Sequence, residues 1–372
     1  MTWSLFLLTL MGHCYFFTCQ LFEYHFINEQ KTWKEAQAYC RINHTDLATV
    51  SNMTDMKRLL KNSTSTNNQN RAWIGLYNQT GDRTWHWSLP GLEMNKTEIK
   101  WNDGEPNDDP HPENCGFIKR NQTHNDILCG DISCREPGPF ICYNETEQND
   151  KRLHVITVWK KWLEAQHYCR EHHTDLVSGQ NQINDELNKK LSKDQWYAIG
   201  LFRDTWGWSD GSSFSFRHWN QAFTDDDTET CAMTLLNQDG TWDSDDCNKR
   251  NPFFCYDDKV ILINENKTWV EALYYCREKY HDLVSITNLD EQRWIKEKAK
   301  KANSPYVWLG MRYTCSLGFW FWVNDEVITY ENWAAGRKTE HCFMSGAMDS
   351  GGQHQWVSKQ ETEKFNFICS KC

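Results

Sequence analysis

The sequence predicts an α+β chain of three tandem, disulfide-stapled domains, and three observations carry that reading. The first is an internal repeat: TWKEAQAYCR (Thr32–Arg41), VWKKWLEAQHYCR (Val158–Arg170) and TWVEALYYCR (Thr268–Arg277). The second is that each block is followed by His-Thr-Asp-Leu or His-Asp-Leu, then by an apolar run centred on Gly75, Gly200 or Gly310. Each repeat closes on an aromatic, a residue and a cysteine, at Cys142, Cys255 and Cys369. The period is domain-sized, which points to an array of globular domains and not to a solenoid of short units. The third is 16 cysteines in 372 residues, a usage that belongs to oxidising compartments, where they act as staples.

Each element follows from local chemistry. Thr32 with Glu35, and Thr268 with Glu271, have the spacing of a capping box, so a helix starts there. Trp33, Ala36 and Cys40 then fall on one helical face, as do Trp269, Ala272 and Cys276. The Ile-Gly-Leu and Leu-Gly-Met segments read as short buried strands, with glycine where another backbone comes close. Polar stretches at Tyr143–Lys151 and Tyr256–Lys259 separate the repeats. The expected organisation is a signal peptide over 1–19 and domains over 20–145, 150–257 and 258–372.

The amino terminus has an apolar centre from Leu5 to Met11, too short to span a bilayer and suited to secretion. No later run reaches a membrane-spanning length, so the expectation is a secreted protein without membrane insertion. Eight N-x-[ST] sequons, at Asn43, Asn52, Asn62, Asn78, Asn95, Asn121, Asn144 and Asn266, agree with that compartment. Seven of them fall before residue 145, which predicts a heavily glycosylated first domain. The formal charge of −11, with no basic block, argues against nucleic acid and anionic membrane as partners. No zinc-protease, nucleophile-elbow or phosphate-loop motif occurs, so no enzyme is expected.

The densest chemistry lies in WNDGEPNDDPHPENC, Trp101 to Cys115. Glu105, Asn107 and Glu113 supply two carboxylates and one amide, and Asn125 and Asp126 follow ten residues past Cys115. Calcium takes about six to eight hard oxygen ligands, and such side chains are suitable donors.

The helix ending in cysteine, the W-[IL]-G strand, the late tryptophan and the closing F-x-C resemble the framework of the C-type lectin-like domain. The multi-domain lectins related to macrophage mannose receptors are the most similar. The resemblance implies two helices on two small antiparallel sheets, with a long loop carrying the ligand site. It implies outer disulfides Cys40–Cys142, Cys169–Cys255 and Cys276–Cys369, and inner disulfides Cys231–Cys247 and Cys115 to either Cys129 or Cys134. Each stabilises by roughly 2–4 kcal/mol. Cys315, Cys342 and Cys372 are left over, and they offer intrachain pairing or covalent oligomerisation.

By the same resemblance, Glu105-Pro106-Asn107, Glu113 and Asn125-Asp126 match the mannose-type calcium site, with a cis bond at Pro106. Calcium ligands would be Glu105, Asn107, Glu113, Asn125 and Asp126. Glu105, Asn107, Glu113 and Asn125 would also contact two vicinal sugar hydroxyls. Glu-Pro-Asn implies glycans of the mannose, fucose and N-acetylglucosamine class and argues against galactose. His124 stands where the family has tryptophan, and a second similar string follows at Gly130–Cys134. The register through Asn125-Asp126 is favoured. The alternative puts Gly130 in place of the asparagine and Asp131 as the remaining ligand. Gln221-Ala222-Phe223 with Asp243-Ser244, and Ala334-Ala335-Gly336 with Trp356-Val357-Ser358, make the other two repeats silent for calcium and sugar. Glu229 and Glu340 survive there, and Asp225–Asp227 reads as a solvated loop. The rival reading is a calcium-independent protein-binding module with a vestigial sugar site.

Overall fold

The computed structural model describes residues 21–372 apart from 64–69, 80, 82, 96, 110–111, 122–125, 147–151, 194, 224–229 and 325–327. The expected signal peptide therefore lies outside the described residues. The chain forms two compact units, Tyr24–Asp257 and, separately, Asp258–Cys372 with the described residues up to Glu23.

The second unit shows the fold of one repeat plainly. Strand β15 (Val260–Lys267) leads into a helix, Trp269–Lys279, which is followed by β16 (Asp282–Leu283), a second helix (Leu289–Ala299), β17 (Tyr306–Thr314) and β18 (Phe319–Trp322). The loop region then gives β19 (Met344–Asp349), β20 (Trp356–Gln360) and β21 (Phe365–Ser370). They form one sheet in the order β15-β21-β17-β19-β20, with β16 on β21 and β18 on β17. The Thr268–Glu271 capping box forms in full. The helix face Trp269, Ala272 and Cys276 packs against Trp308 and Phe367. A Cβ on Gly310 would stand 2.7 Å from the Leu283 carbonyl oxygen, which explains glycine in the apolar strand. Cys276–Cys369 closes the unit as expected. Cys315 pairs with Cys342, and Cys372 is also disulfide-bonded. The cysteines left over in the sequence are thus used in pairing.

The first two repeats carry the same elements but exchange them. Repeat one supplies β1 (Phe22–Lys31), α1 (Trp33–Asn43), β2 (Asp46–Leu47), α2 (Met53–Lys61), β3 (Arg71–Asn78), β4 (Thr84–Trp87), β5 (Cys115–Arg120), β6 (Ile127–Ile132) and β7 (Gly138–Tyr143). Repeat two supplies β8 (Leu153–Lys160), α3 (Trp162–His172), β9 (Asp175–Leu176), α4 (Asp185–Lys190), β10 (Trp196–Asp204), β11 (Trp206–Trp208), β12 (Thr230–Leu235), β13 (Trp242–Asp246) and β14 (Asn251–Asp258). One sheet runs β1-β14-β3-β12-β13, with β11 on β3 and β2 on β14. The other runs β6-β5-β10-β7-β8, with β4 on β10 and β9 on β7. Each lectin-like body therefore joins the first half of one repeat to the second half of the other.

The disulfides follow the exchange. Cys40 pairs with Cys255 and Cys142 with Cys169, which corrects the expected pairs Cys40–Cys142 and Cys169–Cys255. The stretches 20–145 and 150–257, expected as separate domains, each contribute strands to both sheets. Polar contacts repeat the pattern: Ser209 Oγ donates to Asp46 at 2.6 Å, and Ser88 Oγ to Asp175 at 2.6 Å.

The cause is the length of one connection. In the third repeat Thr314 and Phe319 face each other across a hairpin whose turn includes Gly318 at φ 73°. In the second repeat only Thr205 separates β10 from β11. A hairpin commonly needs two or more loop residues, so the chain cannot reverse there. β10 and β11 run on and pair with β4 and β3 of the other repeat, in the registers Asp204↔Thr84 and Trp206↔Asn78. Changes in a hinge loop are a setting in which identical elements exchange.

Candidate metal centre

The acidic loop of repeat one is held between a cis peptide bond and the β5–β6 hairpin. The Glu105–Pro106 bond is cis. After it, the Asn107 backbone N–H donates to Asp131 Oδ1 at 3.0 Å, and the Asp108 N–H to Oδ2 at 3.3 Å. Asp108 sits at φ 57°, a region that Asp tolerates better than most side chains. Its carboxylate accepts the Glu113 N–H at 2.8 Å and an ion pair from Arg83. The inner disulfide is Cys115–Cys134, and it ties the base of the hairpin.

Carboxylate oxygens of Glu105, Glu113 and Asp131 lie within 4.8 Å of one another. Asn107 Nδ2 donates to Glu105 Oε1 at 3.1 Å. Glu105 Oε2 is buried, and no hydrogen-bond donor reaches it. Burial first, then the side-chain hydrogen bond and charge of Asp131, and last the Glu113 charge, push the Glu105 carboxyl up to about 7, against the Asp131 backbone N–H, which lowers it. Glu113 is raised by burial and by Asp131 and Asp108. Like charges gathered in a desolvated place resist ionisation, so the cluster favours a compensating cation.

One cation is already there, and it comes from repeat two. Arg203, on β10, donates to Asp131 Oδ2 at 2.8 Å and pairs with Asp108 Oδ1 at 3.0 Å. Its Nε donates to the Glu113 carbonyl at 3.0 Å, and its guanidinium lies 4.6 Å from the Trp85 ring centroid. Arg203 holds Asp131 and leaves Glu105 Oε2 without a donor.

The register of the late tryptophan is corrected by the structure. Trp101 bridges to Cys129 where Trp219 bridges to Trp242 and Trp333 to Trp356. Cys129 thus occupies the tryptophan position, Gly130 the next, and Asp131 the third. Asp131, and not Asp126, joins Glu105 and Glu113. Asp126 is exposed beside the far end of the hairpin, next to the Arg120↔Ile127 pair. Asn125 lies outside the described residues. The signal was present in the sequence, since Cys129 precedes Cys134 by the interval that separates Trp242 from Cys247. A Cβ on Gly130 would meet the Phe117 ring at 2.5 Å, so Phe117 fills the space an asparagine there would need.

The corresponding loops of the other repeats hold apolar contacts. Phe223 stacks on Trp219 at 4.0 Å with planes 5° apart. Trp333 packs on Trp320 at 4.8 Å, and Glu340 is exposed. Glu229 and Asp225–Asp227 lie outside the described residues. Among the described residues, no further group of three metal-ligating side chains forms in either loop.

These features define a C-type lectin fold with one acidic loop. The family model "Lectin C-type domain" matches residues 29–144, 158–257 and 265–371, and the chain belongs to that family. Human C-type mannose receptor 2 is 23% identical over 361 residues, covering 81% of this chain and 24% of the receptor. Human secretory phospholipase A2 receptor is 22% identical over 374 residues, covering 82% of this chain and 24% of that protein. The chain therefore spans about a quarter of the length of these curated relatives. Among solved structures, human lithostathine aligns at 22% identity with a TM-score of 0.28, covering 30% of this chain and 80% of that one. No helix among the described residues is long and apolar enough to cross a membrane.

Proposed function

We propose that the chain is a calcium-dependent lectin that binds glycans through the acidic loop of repeat one. The observation that carries this is the convergence of Glu105, Glu113 and Asp131 around a buried Glu105 oxygen that no donor reaches. The group suits calcium, because all the donors are hard oxygens, those of Glu105, Asn107 and Glu113 on a loop and that of Asp131 on β6. Glu105, Asn107, Glu113 and Asp131 would hold the ion. Three carboxylates against the Arg203 guanidinium leave a formal charge of −2 for a divalent ion to meet. Calcium, when bound, supplies coordination positions that two vicinal sugar hydroxyls can take.

The chain's own residues would choose the sugar. Glu105 and Glu113 accept hydrogen bonds from hydroxyls, and the Asn107 amide donates one. The Glu-Pro-Asn order supports mannose-class glycans over galactose. Phe117 stands where a second amide would project, so this site offers one amide donor fewer than the full mannose pattern. Weak single-site binding follows, and useful retention on a glycan surface would come from several copies. With Cys315 and Cys342 paired to each other, those two cysteines would not supply covalent links between copies. Six disulfides among the described residues support an extracellular setting.

Retention on mannose resin, with calcium and with chelator, tests the proposal. Calcium-dependent retention is expected. Glu105→Gln with Asn107→Asp should lose mannose and gain galactose, because it exchanges donor and acceptor around the ion. Equal retention in chelator would overturn the proposal in favour of calcium-independent recognition.

A further inference from the structure

A second group of ligand-type side chains lies far from the acidic loop in sequence. His25 is on β1, His44 caps the C-terminal end of α1, and Asp257 is near the end of β14. His25 Nε2 lies 2.9 Å from Asp257 Oδ2, and His44 Nδ1 lies 3.1 Å from Asp257 Oδ1. The two rings stack at 4.6 Å, and all three ligand atoms fall within 4.8 Å of one another.

We propose that His25, His44 and Asp257 form a binding site for a divalent transition metal of the zinc class. Zinc takes imidazole nitrogen at about 2.0–2.1 Å and carboxylate oxygen at about 2.0–2.2 Å, commonly four-coordinate. Two imidazoles and a carboxylate fit that preference, whereas calcium selects an all-oxygen set. An ion bound there would take the place of the present hydrogen bonds, with the three ligand atoms drawn in around it. Side-chain exposures of 29% for His25, 17% for His44 and 31% for Asp257 leave an entry path and room for a water as fourth ligand.

The site depends on the exchange of halves. Both histidines come from repeat one and the aspartate from repeat two, 232 and 213 residues away. A bound ion would fasten the two repeats two residues beyond the Cys40–Cys255 bridge. The other body provides an internal contrast. His154 and His173 stack there at 4.2 Å, but two residues beyond Cys142 the chain has Asn144, not a carboxylate. If each repeat folded on itself, Asp257 would belong with His154 and His173 instead. The position of the metal thus reports which halves are joined.

The test is calorimetric titration of zinc chloride into the full chain, stripped of metal and then saturated with calcium to fill any all-oxygen site. One tight equivalent is expected. His44→Ala and Asp257→Asn should each weaken it at least tenfold, while His173→Ala leaves it unchanged. Unaltered zinc affinity in the His44 and Asp257 variants would overturn the proposal. Because Asp257 also anchors both histidines, a second measurement uses the wild-type chain alone. Diethyl pyrocarbonate labelling, read by mass spectrometry, should show zinc protecting His25 and His44 but not His154 and His173. Absence of that protection, or protection of His154 and His173 instead, would equally overturn it.

Discussion

Arg203 of repeat two donates to Asp131 of repeat one at 2.8 Å, and the Asp131 side chain is wholly buried beneath that contact. The pair crosses the repeat boundary and props the acidic loop from below. Removing the arginine leaves a buried charge without its partner, and losses of about 3–5 kcal/mol are usual for such a change. Asp131 keeps the Asn107 and Asp108 amides, which places Arg203→Met near the low end, roughly 3 kcal/mol. Chemical denaturation of the calcium-free protein should show this, with Arg203→Lys recovering part of it. A loss below about 0.5 kcal/mol, the level of ordinary surface substitutions, would mean that the contact is not formed.

The exchange rests on Thr205 as the sole residue between β10 and β11. Inserting a four-residue turn such as Cys315–Gly318 with its cysteine replaced by serine gives repeat two a loop that can reverse. The disulfides should then shift from Cys40–Cys255 and Cys142–Cys169 to Cys40–Cys142 and Cys169–Cys255. Peptide mapping under non-reducing conditions reads both forms. The exchanged pattern must be present in the unmodified chain for the short hinge to be its cause.

Asn52 lies within a sequon but is buried, 6% exposed, and serves as the N-cap of α2. Its side chain accepts from the Asp55 N–H at 2.9 Å and donates to Ser51 Oγ at 3.1 Å. A glycan on that amide would displace the cap, so Asn52 should be unmodified while exposed Asn43 and Asn95 carry sugar. Glycopeptide mapping of protein from a secretory host checks this. Full occupancy at Asn52 would contradict the local fold.

Two partly buried histidines set an acid limit on the first unit. His86 is held at about 4 chiefly by desolvation, with Asp204 opposing and Arg217 assisting. His218 is also held at about 4, by desolvation and then by Arg170 and His167. Both values lie below the unfolded value of about 6.5. The unfolded chain therefore takes up protons first, and stability is lost as pH falls from about 6.5 toward 4. The melting temperature should drop through that window, and His86→Phe with His218→Phe should flatten the drop. An unchanged slope in the double variant would remove these groups as the cause.

The framework of each repeat was legible in the sequence because its determinants are local. The capping boxes at Thr32 and Thr268, the Trp-Ala-Cys helix faces and the glycines beneath Leu47 and Leu283 all depend on neighbours or on one close backbone. The acidic residues Glu105, Asn107 and Glu113 were legible for the same reason, being nine residues of one loop. Asp131 is the lesser alternative in the sequence because Cys129 replaces the tryptophan that marks the register; the spacing of Cys129 to Cys134 carries the equivalence only weakly, and the Trp101–Cys129 bridge makes it plain.

The sequence by itself determined three repeats, their helices and strands, and an acidic loop in the first. Which half folds against which was decided only by the tertiary structure. Either partner offers the same buried face, because the repeats are alike, so hydrophobic pattern cannot distinguish them. The choice fell to chain connectivity: with one residue at Thr205, reversal is sterically closed, and the strand continues into the neighbouring repeat. Arg203 beneath Asp131, and Asp257 between His25 and His44, follow from that single constraint.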